Sequence, residues 1–265
     1  MGTVRRQLGL RRVGHTGTLD PFATGLLIVV VNRATRLVGY LSALDKEYQG
    51  VIRLGQRTST DDPTGEVLSD DASWNTLTDD AIHHAMQDFV GQQRQVPPVF
   101  SAKKTDGQRA YERARRGEVV TLAAKDVTIS RCDLHERSGP NVTFMTTVST
   151  GTYIRSLARD LGEQLGCGAH LAELRRVAIG RFPVDEATAP ESVNWDMVQP
   201  AGGLVDHLHR ISASEEDRRS LSQGRRIPCE RDVSVDTAAV FADGRLVGIA
   251  EMRDDGYLYP RVVLD

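Results

Sequence analysis

Hydrophobic and polar positions along this chain fall into two periods. Lys46 to Leu54 alternates as a half-buried strand does, and Val127 to Leu134 and Val142 to Ser149 read as paired strands around a loop carrying Ser138-Gly139-Pro140. Leu77 to Phe89 instead carries apolar residues at helical spacing, with Thr78 as its N-cap and Asp79 and Asp80 in the first turn. Ile154 to Leu165 is a second amphipathic helix, ended by Gly166. The run Gly25 to Val31 is short, apolar and rich in β-branched residues, which predicts one buried strand. A basic helix at about 3 to 10 precedes it, and a short helix over Ala34 to Leu44 follows. Strands and helices interleave without a βαβ rhythm, so the expected class is α+β around a mixed central sheet.

The pattern changes past Pro183. Ala187-Thr188-Ala189-Pro190 and Gln199-Pro200-Ala201-Gly202-Gly203 read as a connecting region. After it come a helix over Ala213 to Leu221, closed by Gly224, and strands over Ala238 to Phe241, Leu246 to Met252 and Leu258 to Val263. Asp243-Gly244 and Asp255-Gly256 between alternating strands are hairpin signals. The expected division is a large domain over 1–206 and a small β-rich domain over 210–265.

Composition narrows the classes. The chain has 265 residues, 40% hydrophobic and 26% charged, and its longest apolar run, Leu26 to Val31, is too short to span a bilayer. The start lacks the apolar stretch of a secretory signal. Cys132, Cys167 and Cys229 are odd in number and widely spaced, which argues against a disulfide framework or a zinc site and fits a reducing cytoplasm. Net charge is −3, but the signs are segregated. Residues 1–36 carry six arginines against Asp20 alone, residues 94–116 carry a net +5, and residues 58–93 hold eight carboxylates with no lysine or arginine. Two basic surfaces remain, suited either to solvation or to phosphate contacts.

Candidate chemistry concentrates in two motifs. In Gly14-His15-Thr16-Gly17-Thr18-Leu19-Asp20-Pro21-Phe22-Ala23-Thr24-Gly25, Pro21 pushes Asp20 toward an extended conformation and the glycines allow positive φ or close approach, so the carboxylate is held out by backbone shape. An Asx-type turn is the competing reading. In Gly151-Thr152-Tyr153-Ile154-Arg155-Ser156-Leu157-Ala158-Arg159-Asp160-Leu161-Gly162, Arg155 falls on the first helical turn, where a fork of donors suits a fixed carboxylate. This motif continues into Gly166-Cys167-Gly168-Ala169-His170-Leu171 and Leu174-Arg175-Arg176.

These motifs together resemble the TruB family of tRNA pseudouridine synthases over most of residues 10 to 183, and more loosely over the tail. The resemblance implies a pseudouridine synthase fold closed by a PUA-like domain, and an isomerase that converts uridine 55 in the T arm of tRNA to pseudouridine. It implies Asp20 as the reacting carboxylate, paired with Arg155, and Tyr48 in Asp45-Lys46-Glu47-Tyr48 as the ring stacking on the uracil. Leu174 matches a position packing against the target base, with plain core as the alternative. His15 would fill the space vacated by the extruded base. The stretch around Pro97 to Gly117, within an insertion at about 94–125, looks like the family's RNA-gripping arm, with Lys103, Lys104 and Arg109 as phosphate contacts.

The isomerisation breaks the N1 to ribose bond, turns the uracil and rejoins it through C5, so neither metal nor cofactor is expected. The carboxylate could attack the sugar, attack the base, or take the ribose C2′ proton. Arg155 would offset its desolvation in each case. The expected partner is tRNA, with no protein partner and a monomeric state. Family members begin with a strand and a Lys-Pro turn ahead of the basic helix, whereas Met1 here falls inside that helix. The alternative function is therefore a noncatalytic tRNA-binding or folding factor.

Overall fold

The computed structural model describes residues 1–100, 104–105, 108–109, 122–229 and 236–265. Its elements run α1 (Gly2–Leu8), β1 (Val13–His15), β2 (Thr24–Gly25), β3 (Val29–Val31), α2 (Val38–Ser42), β4 (Lys46–Leu54), β5 (Gln56–Thr58), β6 (Val67–Asp70), α3 (Asp79–Gln87) and β7 (Gly91–Gln95). There follow β8 (Lys104–Thr105), β9 (Gln108–Arg109), β10 (Lys125–Ser138), β11 (Asn141–Val148), α4 (Ile154–Gln164), β12 (Ala169–Ile179), β13 (Phe182–Pro183) and β14 (His209–Ser212). The last are α5 (Glu215–Ser222), β15 (Ile227–Pro228), β16 (Thr237–Ala242), β17 (Arg245–Met252) and β18 (Tyr257–Val263).

Two compact units emerge, one of Thr18–Leu26 with Ala43–Ala187, the other of Met1–Gly17, Leu27–Ser42 and Thr188–Asp265. Each unit draws on more than one stretch of the chain.

The first unit is built on a mixed sheet in the order β13-β12-β4-β11-β10-β7, with β2 parallel to β12. Period-two burial organises it. Tyr48, Ile52 and Leu54 of β4 and Val142, Phe144 and Val148 of β11 share one buried core with Ile82, Ala85 and Met86 of α3 and Ile154, Leu157, Ala158 and Leu161 of α4. Thr78 caps α3 as expected, its side chain accepting from the Ala81 N–H. Tyr153, at the start of α4, makes no side-chain cap. The buried amide of Gln95 takes both backbone groups of that residue, accepting from Tyr153 N–H at 2.8 Å and donating to its carbonyl at 3.1 Å. Gly50 is dictated by contact, because a Cβ there would meet the Glu173 carbonyl oxygen at 2.6 Å and the Phe144 ring at 2.9 Å.

The second unit holds the antiparallel pair β1–β3 and a five-stranded sheet in the order β14-β16-β17-β18-β15. Its hairpin turn takes positive φ at both Asp243 and Gly244, as the Asp-Gly pair predicts. A capping box between Ser214 and Asp217 opens α5. Arg33 and Arg36, counted in the N-terminal basic run, donate to the carbonyls of Leu264 and Val263. The class is α+β, with a mixed sheet and a β-rich C-terminal region.

The structure departs from the local expectations in three places. The run from Gly25 to Val31 is not one strand, because β2 joins β12 while β3 pairs with β1, and the chain passes from one unit to the other between Leu26 and Leu27. The helix expected over Ala34 to Leu44 is present, but begins two residues earlier as a 3-10 helix over Asn32–Leu37 and continues as the short α2. The strands β7 and β12 were not expected. The first, Gly-Gln-Gln-Arg-Gln, has no apolar signal, and β12 has its alternation broken by register shifts between Leu171 and Glu173 and between Arg176 and Ala178.

Candidate active site

Asp20 and Arg155 stand 135 residues apart in sequence and meet in a bidentate pair. Arg155 Nε donates to one carboxylate oxygen at 2.9 Å and Nη2 to the other at 2.8 Å. The backbone accounts for both positions. Pro21 and the turn closed by Ala23 N–H on the Asp20 carbonyl hold the carboxylate, and Gly25, at φ 105°, lets the loop close onto β12. A Cβ at Gly25 would lie 2.2 Å from the Arg176 carbonyl oxygen. Arg155, on the first turn of α4, is only 5% exposed at its side chain, whereas Asp20 is 31% exposed. The cation is buried and the carboxylate is presented.

Arg155 has a second acid, which sequence reading missed. Asp62 Oδ2 lies 3.4 Å from Nη1, buried as deeply as the arginine itself. The other Asp62 oxygen is occupied within its own turn, accepting from Thr60 Oγ1 at 2.6 Å, Thr64 N–H at 2.9 Å and Thr64 Oγ1 at 2.5 Å. The carbonyls of Thr60 and Phe100 accept further guanidinium bonds, each at 3.1 Å. The polar cluster Thr60-Asp61-Asp62-Pro63-Thr64-Gly65 was legible as a turn, and its Asx pattern at Asp62 was the available signal.

Tyr48 points from β4 into the core and is 9% exposed. Burial pushes its hydroxyl pKa up, a hydrogen bond and the charge of Arg176 oppose the shift, and the charge of Asp20 adds to it. Arg176, also missed, is 1% exposed. Its Nε donates to the Leu26 carbonyl at 2.7 Å, and its own carbonyl accepts the Leu26 N–H at 2.8 Å. It therefore joins the end of the Asp20 loop to Tyr48. The buried Lys46, two residues before Tyr48 on β4, has its pKa lowered by burial and by Arg176.

Leu174 is buried in the same core with Phe22 packed against it, and both line a groove of about 460 Å³ that also takes in Gln49, Glu173 and Arg175. His15 ends β1 in the other unit, half-buried, its Nδ1 accepting from the Gly17 N–H at 3.4 Å. Lys103 lies outside the described residues. Lys104 and Arg109 are opposite each other in the β8–β9 pair, of which the backbone alone is described. Among the described residues, no cluster of histidine, cysteine and carboxylate groups could hold a metal. Chemically, the site offers an anionic oxygen pair held at fixed orientation, able to attack carbon or accept a proton.

Residues 5–154 match the N-terminal domain of TruB family pseudouridylate synthase. Residues 155–201 match the tRNA pseudouridylate synthase B C-terminal domain, and residues 211–264 match the C-terminal model of pseudouridine synthase II TruB. The tRNA pseudouridine synthase B of Arthrobacter sp. (strain FB24) is 43% identical over 94% of this chain and 86% of its own length. That of Thermobifida fusca (strain YX) is 43% identical over 98% and 91%. Among solved structures, the archaeal box H/ACA sRNP Nop10-Cbf5 complex matches with a TM-score of 0.71 at 23% identity, covering 99% of this chain and 80% of that one. That likeness shows the fold.

Proposed function

The chain belongs to the TruB family of pseudouridine synthases and isomerises uridine to pseudouridine in tRNA, and we propose that its target is uridine 55 of the T arm and that Asp20 carries the reaction. The observation that supports this most is the bidentate grip of Arg155 on Asp20. A reacting carboxylate needs to be anionic, aimed and accessible together. The buried guanidinium supplies the charge and the aim, and the exposure of Asp20 leaves a face open to the nucleotide.

The reaction is internally balanced. The N1–C1′ bond breaks, a C5–C1′ bond forms, C5 gives up its proton and N1 gains one. Asp20 serves either as the nucleophile or as the base for the ribose C2′ proton. Tyr48, whose hydroxyl feels the charge of Asp20, supplies a ring for the base to lie on. The target is stacked inside the folded T arm and has to be extruded to reach Asp20, with His15 assigned to the vacated space. Lys103, Lys104 and Arg109 are assigned to backbone phosphates. We take the protein to act in the cytoplasm, where tRNA is modified, and as a monomer.

The test is tritium release from tRNA carrying 5-tritiated uridine. Asp20→Asn should abolish release while tRNA binding persists. A transcript with cytidine at position 55 should release nothing with the parent protein. Turnover by Asp20→Asn overturns the role of Asp20, and release from the position-55 variant overturns the target.

A further inference from the structure

One turn beyond Arg155 on α4, a second arginine joins the two irregular segments that hold the first. Arg159 Nη1 contacts Asp61 Oδ2 at 3.3 Å, and Nη2 donates to the Val96 carbonyl at 3.1 Å. Nε and Nη2 also bond Asp160 Oδ1 at 2.9 and 2.7 Å, which fixes the guanidinium against its own helix. Arg159 and Asp61 are each about four-fifths buried at their side chains. Ser156 Oγ shares the Val96 carbonyl at 2.8 Å.

Asp61 sits between Thr60 and Asp62, whose carbonyl and carboxylate hold Arg155. Val96 begins the stretch that leads through Pro97 and Pro98 to Phe100, whose carbonyl also holds Arg155. Neither stretch is itself a helix or strand: Asp61 takes the left-handed turn conformation, φ 58°, that aspartate tolerates, and one backbone bond, from the Leu171 N–H to the Asp61 carbonyl at 3.1 Å, ties it to β12. We propose that Arg159 is a positioning residue for the isomerisation, a clamp that keeps Thr60, Asp62 and Phe100 in place around Arg155 and so keeps Asp20 aimed. Burial raises the pKa of Asp61, and the charges of Arg159 and, less strongly, Arg155 oppose that rise. Without Arg159, the partly buried carboxylates of Asp61 and Asp160 lose the cation they share, and Asp61 keeps only the weaker influence of Arg155. The turn then moves outward to hydrate Asp61 and takes Thr60 and Asp62 with it.

The inference rests on the reading of Asp20 and Arg155 given above, and its test separates the two. Single-turnover tritium release would be measured with full-length protein at saturating tRNA, well below each variant's thermal midpoint, alongside filter binding of the same tRNA. Arg159→Met keeps the stem and removes the donors. It should slow release by about tenfold to a hundredfold, the scale of loss that a small misplacement of reacting groups produces, while affinity changes by less than about threefold. Asp61→Asn should also slow release, and the double variant should be no slower than Arg159→Met alone. Arg159→Lys, which restores charge, should recover part of the rate. Should Arg159→Met not fold, Asp61→Asn and Arg159→Lys carry the test, since each is expected to lose rate and keep affinity. Release within about twofold of the parent in these variants, or losses confined to affinity, overturns the clamp. Absence of release by the parent protein overturns the functional reading itself.

Discussion

Tyr48 and Arg176 are directly opposed across the β4–β12 pair, and the arginine donates to the tyrosine hydroxyl while its Nε holds the Leu26 carbonyl. A fully buried cation thus links the ring assigned to the uracil with the end of the loop that presents Asp20. Because burial outweighs the cation, the folded protein holds the Tyr48 proton more tightly than the unfolded chain does.

An ultraviolet difference titration should therefore show one tyrosine ionising above the ordinary value of 10.0, and Tyr48→Phe should remove that late step. The stability tied to this proton is complete below the unfolded ionisation range and is lost as pH climbs through the folded one. Thermal midpoints of parent and Tyr48→Phe should accordingly converge or cross only at strongly alkaline pH. A titration identical in the two proteins contradicts the assignment.

Arg155→Leu leaves Asp20 and the deeply buried Asp62 without their cation. Breaking a buried ion pair from one side costs about 3–5 kcal/mol, so urea unfolding should show a loss of that order, partly relieved by adding Asp62→Asn. Turnover at saturating tRNA should collapse in both. A single variant as stable and active as the parent shows that the pairing carries neither role.

Gly25→Ala places a methyl group 2.2 Å from the Arg176 carbonyl oxygen, at a φ of 105°. The chain has to retreat, at roughly 1–3 kcal/mol for the backbone alone. Calorimetry should record a lower midpoint, and the displaced loop should lower turnover more than tRNA affinity. Gly2→Ala, with nothing within 4 Å of the added atom and no left-handed φ, is the steric control and should not lower either quantity.

Changing Lys103, Lys104 and Arg109 together to alanine should weaken binding of any RNA and flatten its salt dependence by roughly 0.7–0.9 units of slope for each phosphate that is no longer neutralised. Binding measured across a salt series checks this. An unchanged slope would return these residues to a solubilising role and move the RNA surface to Arg5, Arg6, Arg11 and Arg12.

Local chemistry wrote much of this protein into short stretches of sequence. The Gly and Pro spacing around Asp20, the Thr78 cap, the helical period from Ile154 to Leu165 and the Asp243-Gly244 turn each depend on residues within a few positions, where φ preferences and side-chain capping act directly. Tertiary structure decided what those stretches meet. The apolar run from Gly25 to Val31 carries no mark of where it breaks, because the break is made by Arg176 on one side and β1 on the other. Strand β12 hides behind two register shifts that spoil its alternation, and with it hides Arg176. Asp62 and Arg159 read as ordinary charged residues until the fold brings them to Arg155, Asp61 and Val96 across 63 to 98 positions. Periodicity reports which face of an element is buried. The partner of a buried charge is set by packing, since desolvation makes a cation costly until a carboxylate or carbonyl from elsewhere in the chain arrives beside it.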